Sequence, residues 1–143
     1  MVFWRKKKQQ AAEEEPVDVL ADLPGADKLR EWFGHLPDFH DGEIISLSLA
    51  RSGPSVLRVY PYFPKKPAVV HFIFEEITDL SLEDFSPQNV ILSLTAERVT
   101  TKTFGQVIRV RLGPCYGIAG RIEAKRVRIE VVRGKSPDGI SQW

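Results

Sequence analysis

Cysteine is almost absent: Cys115 is the single thiol in 143 residues. That excludes an intramolecular disulfide framework and any structural zinc site built from several thiolates. Long apolar runs are missing too. None approaches the ~20 residues that a membrane-spanning helix needs, so no span is expected. Arg5, Lys6, Lys7 and Lys8 are followed by Gln, Ala and Glu rather than by an apolar segment. No secretory leader is therefore expected, and the reading is cytoplasmic. There is no Walker A loop, no G-x-G-x-x-G, no G-x-S-x-G, no H-E-x-x-H and no C-x-x-C. Histidine is scarce, and His35, His40 and His71 lack the spacing of metal-dependent His-Asp phosphohydrolases. The expectation is a non-enzymatic chain with no cofactor and no metal.

What is present is ordinary for a globular domain: 43% hydrophobic and 27% charged residues. Residues 1–25 read as a flexible N-terminal tail, 26–135 as one β-rich domain and 136–143 as a C-terminal tail. Phe3 and Trp4 beside four cations suit an anionic membrane or nucleic acid, but a solvated tail is the simpler reading. Pro16 to Leu23 suits one or two helical turns, ended by Pro24-Gly25. Asp27 can cap a short helix that places Leu29, Trp32 and Phe33 on one face, with Gly34 as its left-handed stop.

Strand periodicity dominates the remainder. Ile45, Leu47 and Leu49 alternate with polar residues, as do Leu57 and Val59, then Val90, Leu92 and Leu94. Ile108, Val110 and Leu112 alternate with Arg109 and Arg111, and Val127, Ile129 and Val131 with Arg126, Arg128 and Glu130. Residues 69–74 are apolar on both faces and predict a central strand. Short turns favour antiparallel neighbours. The fold class is α+β: a mostly antiparallel sheet of about six or seven strands with a short N-terminal helix.

The densest polar cluster is Asp38-Phe39-His40-Asp41-Gly42-Glu43. On a strand, His40 and Asp41 would point to opposite faces, whereas Asp38 with His40, or Asp41 with Glu43, would share one. A hydrolase or metal enzyme centred on His40, Asp41 and Glu43 is one reading; loop fixing and capping of the sheet edge by His40 and Asp41 through backbone hydrogen bonds is the other, and the simpler. Cys115 reads as a small buried residue rather than a catalytic thiol. Pro61, Pro64 and Pro67 with Lys65 and Lys66 suit a strand edge and turn better than a polyproline ligand.

The net charge of +1 hides a strong segregation. Residues 1–10 carry +4, residues 11–97 carry −10, residues 98–135 carry +8 and residues 136–143 carry −1. Glu75, Glu76, Asp79, Glu83 and Asp84 form an acidic rim anchored by Ile77, Leu80 and Leu82. It reads either as a solvated edge or as a docking surface for a basic partner. Arg109 and Arg111, with Arg126 and Arg128, would make a basic sheet face if their strands pair. That face suits phosphates, but it lacks the interleaved aromatics on which single strands stack, which argues against nucleic acid. The acidic and basic parts are expected on different surfaces.

Three stretches carry a family resemblance. Trp32-Phe33-Gly34-His35-Leu36-Pro37-Asp38-Phe39-His40-Asp41-Gly42-Glu43-Ile44 resembles a W-P-S-F-H-D-A-E-V opening. Residues 72–90, with Phe85, Gln88 and Asn89, resemble F-x-F-x-x-V-x-D-L-x-L-x-x-F-N-x-Q-N-V. Tyr116, Gly117 and Gly120 resemble a later Y/F-G-L-x-G element. The pattern is similar to immunity protein family fifty of bacterial polymorphic-toxin systems, across residues 28–132. Gly42 departs from its usual Ala and Ser86 from its usual Asn. The resemblance implies a mainly β fold, no catalytic residues and a protein toxin as partner. Self-association through a sheet edge is left open.

Overall fold

The computed structural model describes residues 15–137. The alternating segments become seven strands: β1 (Val17–Asp18), β2 (Glu43–Ser48), β3 (Ser55–Tyr60), β4 (Ala68–Glu83), β5 (Val90–Thr101), β6 (Gly105–Tyr116) and β7 (Ala119–Arg133). All their pairings are antiparallel. The order is β1-β5-β2-β3-β4-β7-β6, and β5 also pairs with β6, so β2 to β7 close into a ring. The β2–β5 seam is narrow. Glu43 faces Val90, and the bonds run from Asp41 N to Ile91 O, Ile44 N to Asn89 O and Ile91 N to Gly42 O. Closure removes most of the edges that an open sheet would expose.

The core fills the ring with Leu57, Val59, Val70, Phe72, Phe74, Ile91, Leu94, Val110, Leu112, Ile122 and Ile129. Residues 69–74 are buried on both faces, as the apolar run predicts. Two strands depart from simple alternation. In β2 the register shifts between Ile44 and Ser46, so Ile44 is buried and Leu49 lies exposed beyond the strand. In β5 shifts on either side of Ile91 bury that residue and expose Leu92. A bulge moves later side chains to the other face, which periodicity alone does not foresee.

Residues 15–25 are not a tail. Val17 and Asp18 pair with Arg98 and Glu97 of β5, and Val19 N bonds Ala96 O at 2.9 Å. A single 3₁₀ turn, Leu20–Asp22, follows in place of an α-helical stretch. Pro24 O then accepts from Ile129 N of β7 at 2.7 Å, and Gly25, at φ 92°, packs on the Ile129 carbonyl where a Cβ has no room. The segment crosses from β5 to β7 and buries Val19, Leu20 and Leu23 in the main core. The physical reason is that β6 and β7 pair only between 108–112 and 120–124, leaving the lower half of β7 without a strand on that side. The N-terminal tail residues 1–14, with Phe3 and Trp4, and residues 138–143 lie outside the described residues.

Helix α1 (Ala26–Phe33) continues this cover, with Leu29 and Phe33 buried. Its N-cap is Gly25; Asp27 sits in the first turn, where its charge favours the helix dipole. Gly34 ends it at φ 83°, bonded to Arg30 O. Trp32 pins the helix outward: Nε1 donates to Lys66 O at 3.1 Å, and the ring lies 4.4 Å from Lys66 Nζ and 5.0 Å from the Arg133 guanidinium.

Strand β4 is the axis of the molecule. It pairs with β7 along its whole length but with β3 only over 70–74, so residues 75–83 run on beyond β3. The acidic stretch is therefore strand. Glu76 stands at φ 58°. Across it the inward set moves from Phe72 and Phe74 to Ile77, opposite the change from Val127 to Ala124 on β7. A second irregularity follows at Thr78, whose hydroxyl donates to Glu123 O at 3.4 Å. Among the described residues no helix is long and apolar enough to cross a membrane.

Candidate interaction surface

The long β4–β7 pairing brings the acidic and basic segments together instead of separating them. Glu75 faces Arg126 and accepts from its Nε at 3.0 Å and from Arg128 Nη1 at 3.2 Å. Glu76 accepts from Arg126 Nη2 at 2.6 Å, and Asp79 from Arg121 Nη2 at 2.9 Å. The hydrogen bond from Arg126 holds the Glu75 carboxyl below its ordinary range, and the two glutamates raise Arg126 in return.

The basic face expected from Arg109, Arg111, Arg126 and Arg128 does not form. Arg109 and Arg111 lie opposite Glu123 and Arg121, whereas Arg126 and Arg128 lie opposite Glu75 and Ile73 of β4. Glu97, Arg109, Glu123 and Asp79 are successive cross-strand partners on β5, β6, β7 and β4, so their side chains share one face. Glu123 is only 5% exposed. It accepts from Arg109 Nε at 2.6 Å, with Arg121 Nε at 3.7 Å, while Arg111 reaches Glu97 at 3.6 Å. This part of the outer sheet is a belt of alternating charge, and Arg109, Arg111, Arg121, Arg126 and Arg128 each lie beside a carboxylate.

The 38–43 cluster is a turn, and β2 begins only at Glu43. Phe39 and Asp41 both have positive φ, 64° and 65°. His40 N donates to Asp38 Oδ1 at 2.9 Å, and Gly42 N to Phe39 O at 2.9 Å. This sends the Phe39 ring into the core, edge-on to Phe72 at 5.7 Å. It also puts His40 and Asp41 side by side, contrary to strand geometry, with Nδ1 3.3 Å from Oδ2 and both side chains more than half exposed. Among the described residues no three His, Cys, Asp or Glu side chains gather as metal ligands would. Cys115 is exposed rather than buried; it is the extra residue where Val90 faces Tyr116 and Ile91 faces Pro114.

The remaining motif residues divide in two. Asn89 is buried and joins its own loop to the turn before β7: its Oδ1 accepts from Ser86 N at 3.0 Å and Ile118 N at 2.9 Å, and its Nδ2 donates to Ser86 O at 2.7 Å. Gly117 turns beside it at φ 88°, and Gly120 on β7 leaves room for the Ser81 carbonyl of β4. Gln88 is exposed, but its backbone joins the same knot through the Ser86 hydroxyl. Phe85 and Tyr116, by contrast, are 76% and 61% exposed.

Beside this knot an open groove of about 560 Å³ runs between β2 and the end of β4. Ile45 and Leu47 line one side, Leu82 and Phe85 the other, with Ile118 between. Glu83 and Asp84 stand on its rim, and neither has an ion pair among the described residues. Sequence reading placed the acids here but missed the apolar lining. The available signal was Phe85, a bulky side chain three residues after Leu82 and so out of step with the Leu80–Leu82 alternation. Comparison with family models, curated proteins and solved structures finds no match to this chain.

Proposed function

We propose that this chain is a non-enzymatic cytoplasmic binding protein that takes a protein partner in the β2–β4 groove, in the manner of an immunity protein neutralising a bacterial toxin. One observation carries the reading. Most of the chain's acids on β4 are matched internally, yet Glu83, Asp84 and the 76%-exposed Phe85 stand unmatched around an apolar groove. Exposed aromatics in a cleft, with unpaired charge at the rim, supply anchoring and orientation respectively. The docking surface is thereby narrowed from the full acidic rim to its distal end. A cationic partner surface, such as the substrate channel of a nuclease, fits that charge, and inhibition would follow from steric occlusion. The test is co-expression with the toxin encoded beside this gene. Rescue of growth and an isolable complex are expected; unimpaired killing with no complex overturns the proposal.

A further inference from the structure

The groove differs from the rest of the ring in its backbone as well as its side chains. Strand β2 meets β5 at the single pair Glu43–Val90, so residues 45–48 have β3 on one edge and, among the described residues, no strand on the other. Strand β4 outruns β3 after Phe74, so residues 75–83 have β7 alone. These two edges flank the groove, contributing Ile45 and Leu47 from one and Leu82 from the other. The open edge along the lower half of β7, by contrast, is crossed by the N-terminal segment through the Ile129 N to Pro24 O bond.

We propose that the groove is a strand acceptor: it binds an extended partner segment in which Lys or Arg alternates with large apolar side chains. The inference rests on the groove being the partner site. Unpaired N–H and C=O groups along an edge are a template for an added strand, and pockets for alternate side chains confer selectivity. The apolar lining takes one face of such a strand. Glu83 and Asp84 select cations on its ends or other face. A second copy of this chain fits poorly, because pairing two β4 edges would set acid against acid.

The probe is a phage library of random peptides about a dozen residues long, about twice the commonest strand length, selected on the full chain. Enrichment of alternating cationic–apolar sequences is expected, with internal proline depleted. Binding should fall about tenfold in E83K/D84K, a loss typical of removing complementary charge. Amide exchange should slow at 45–48 or 78–83. Acidic or proline-rich winners, indifference to E83K/D84K, or no slowed exchange on either edge overturns strand addition. Growth rescue by the chain that is abolished by Phe85→Ala, without edge protection, would retain the partner site and reject only its strand mode. Protection of the same amides on dimerisation without peptide would assign the groove to a second copy and overturn the proposal. So would peptide binding that emerges only in R5E/K6E/K7E/K8E, which would assign it to the chain's own basic segment.

Discussion

Asn89 and Gly117 are built around each other: a Cβ at Gly117 would stand 2.5 Å from Asn89 Oδ1, the atom that accepts from Ile118 N. The pair fixes the loop bearing Phe85 to the turn bearing Tyr116. Gly117→Ala meets both the contact and φ 88°, and should cost about 1–3 kcal/mol. Asn89→Ala strands the Ser86 and Ile118 amides, for about 2–3 kcal/mol. The double variant should lose less than the sum, since both break one knot. Urea denaturation measures all three.

Phe85 and Tyr116 should behave in the opposite way. They are mostly exposed, so truncation to Ala should leave stability within about 0.5 kcal/mol. Partner affinity should nonetheless fall about tenfold or more for Phe85→Ala. Thermal melts paired with titrated growth rescue separate the two effects. A large loss of stability would return Phe85 to a structural role.

Glu123 should be among the costliest charges to remove. It is buried between Arg109 and Arg121, and Glu123→Ala leaves two guanidinium groups facing each other without their shared carboxylate. About 3 kcal/mol of destabilisation is expected. Arg111→Ala, whose partner lies 3.6 Å away at a half-exposed site, should cost under about 1 kcal/mol. Chemical denaturation of both variants gives the contrast.

His71 gives the fold a pH dependence near neutrality. Burial holds its pKa below the ordinary 6.5, the nearby Arg58 lowers it further and Glu130 opposes them. The unfolded chain therefore takes up this proton at a higher pH than the native one. Stability is constant with respect to this group above about 6.5 and declines as pH falls below it, toward the lower native value. His71→Gln should flatten that slope. Glu75, held low by Arg126, adds a separate loss as pH falls below its ordinary 4.5. Denaturation midpoints followed from pH 8 to about pH 2 in both proteins resolve the two ranges.

Alternation made the strands legible wherever one register persists: Leu57 with Val59, Val110 with Leu112 and Val127 with Ile129 all point inward. It misled at Leu49 and Leu92, where bulges change the face. Val19, Leu20 and Leu23 looked like tail because their partners, Ala96 and Ile129, are distant in sequence. The same distance hid the pairing of Glu75 with Arg126. Segment charges are local quantities, whereas the field at the surface depends on which strands become neighbours. The groove was invisible for a related reason, since its walls come from residues 44–47, 82–85 and 118. The polar 38–43 cluster was legible as a loop, but the side chain that bonds its backbone is Asp38, and the contact between His40 and Asp41 required the positive φ at Asp41.

The paired change of face at Glu76 on β4 and Lys125 on β7 constrains how this chain can vary in length. Both strands carry two residues between one inward pair, Phe74 with Val127, and the next, Ile77 with Ala124. Deleting one residue from either strand alone would give that strand plain alternation but leave its distal half one residue out of step with its partner, setting inward side chains opposite outward ones. Deleting one from each would restore the mutual register as an ordinary ladder, with Phe74 and Ile77, and Ala124 and Val127, two apart. Related sequences should therefore keep the spacing from Phe74 to Ile77 equal to that from Ala124 to Val127, and concentrate insertions at 49–54 and 102–104, where the hairpins turn in solvent.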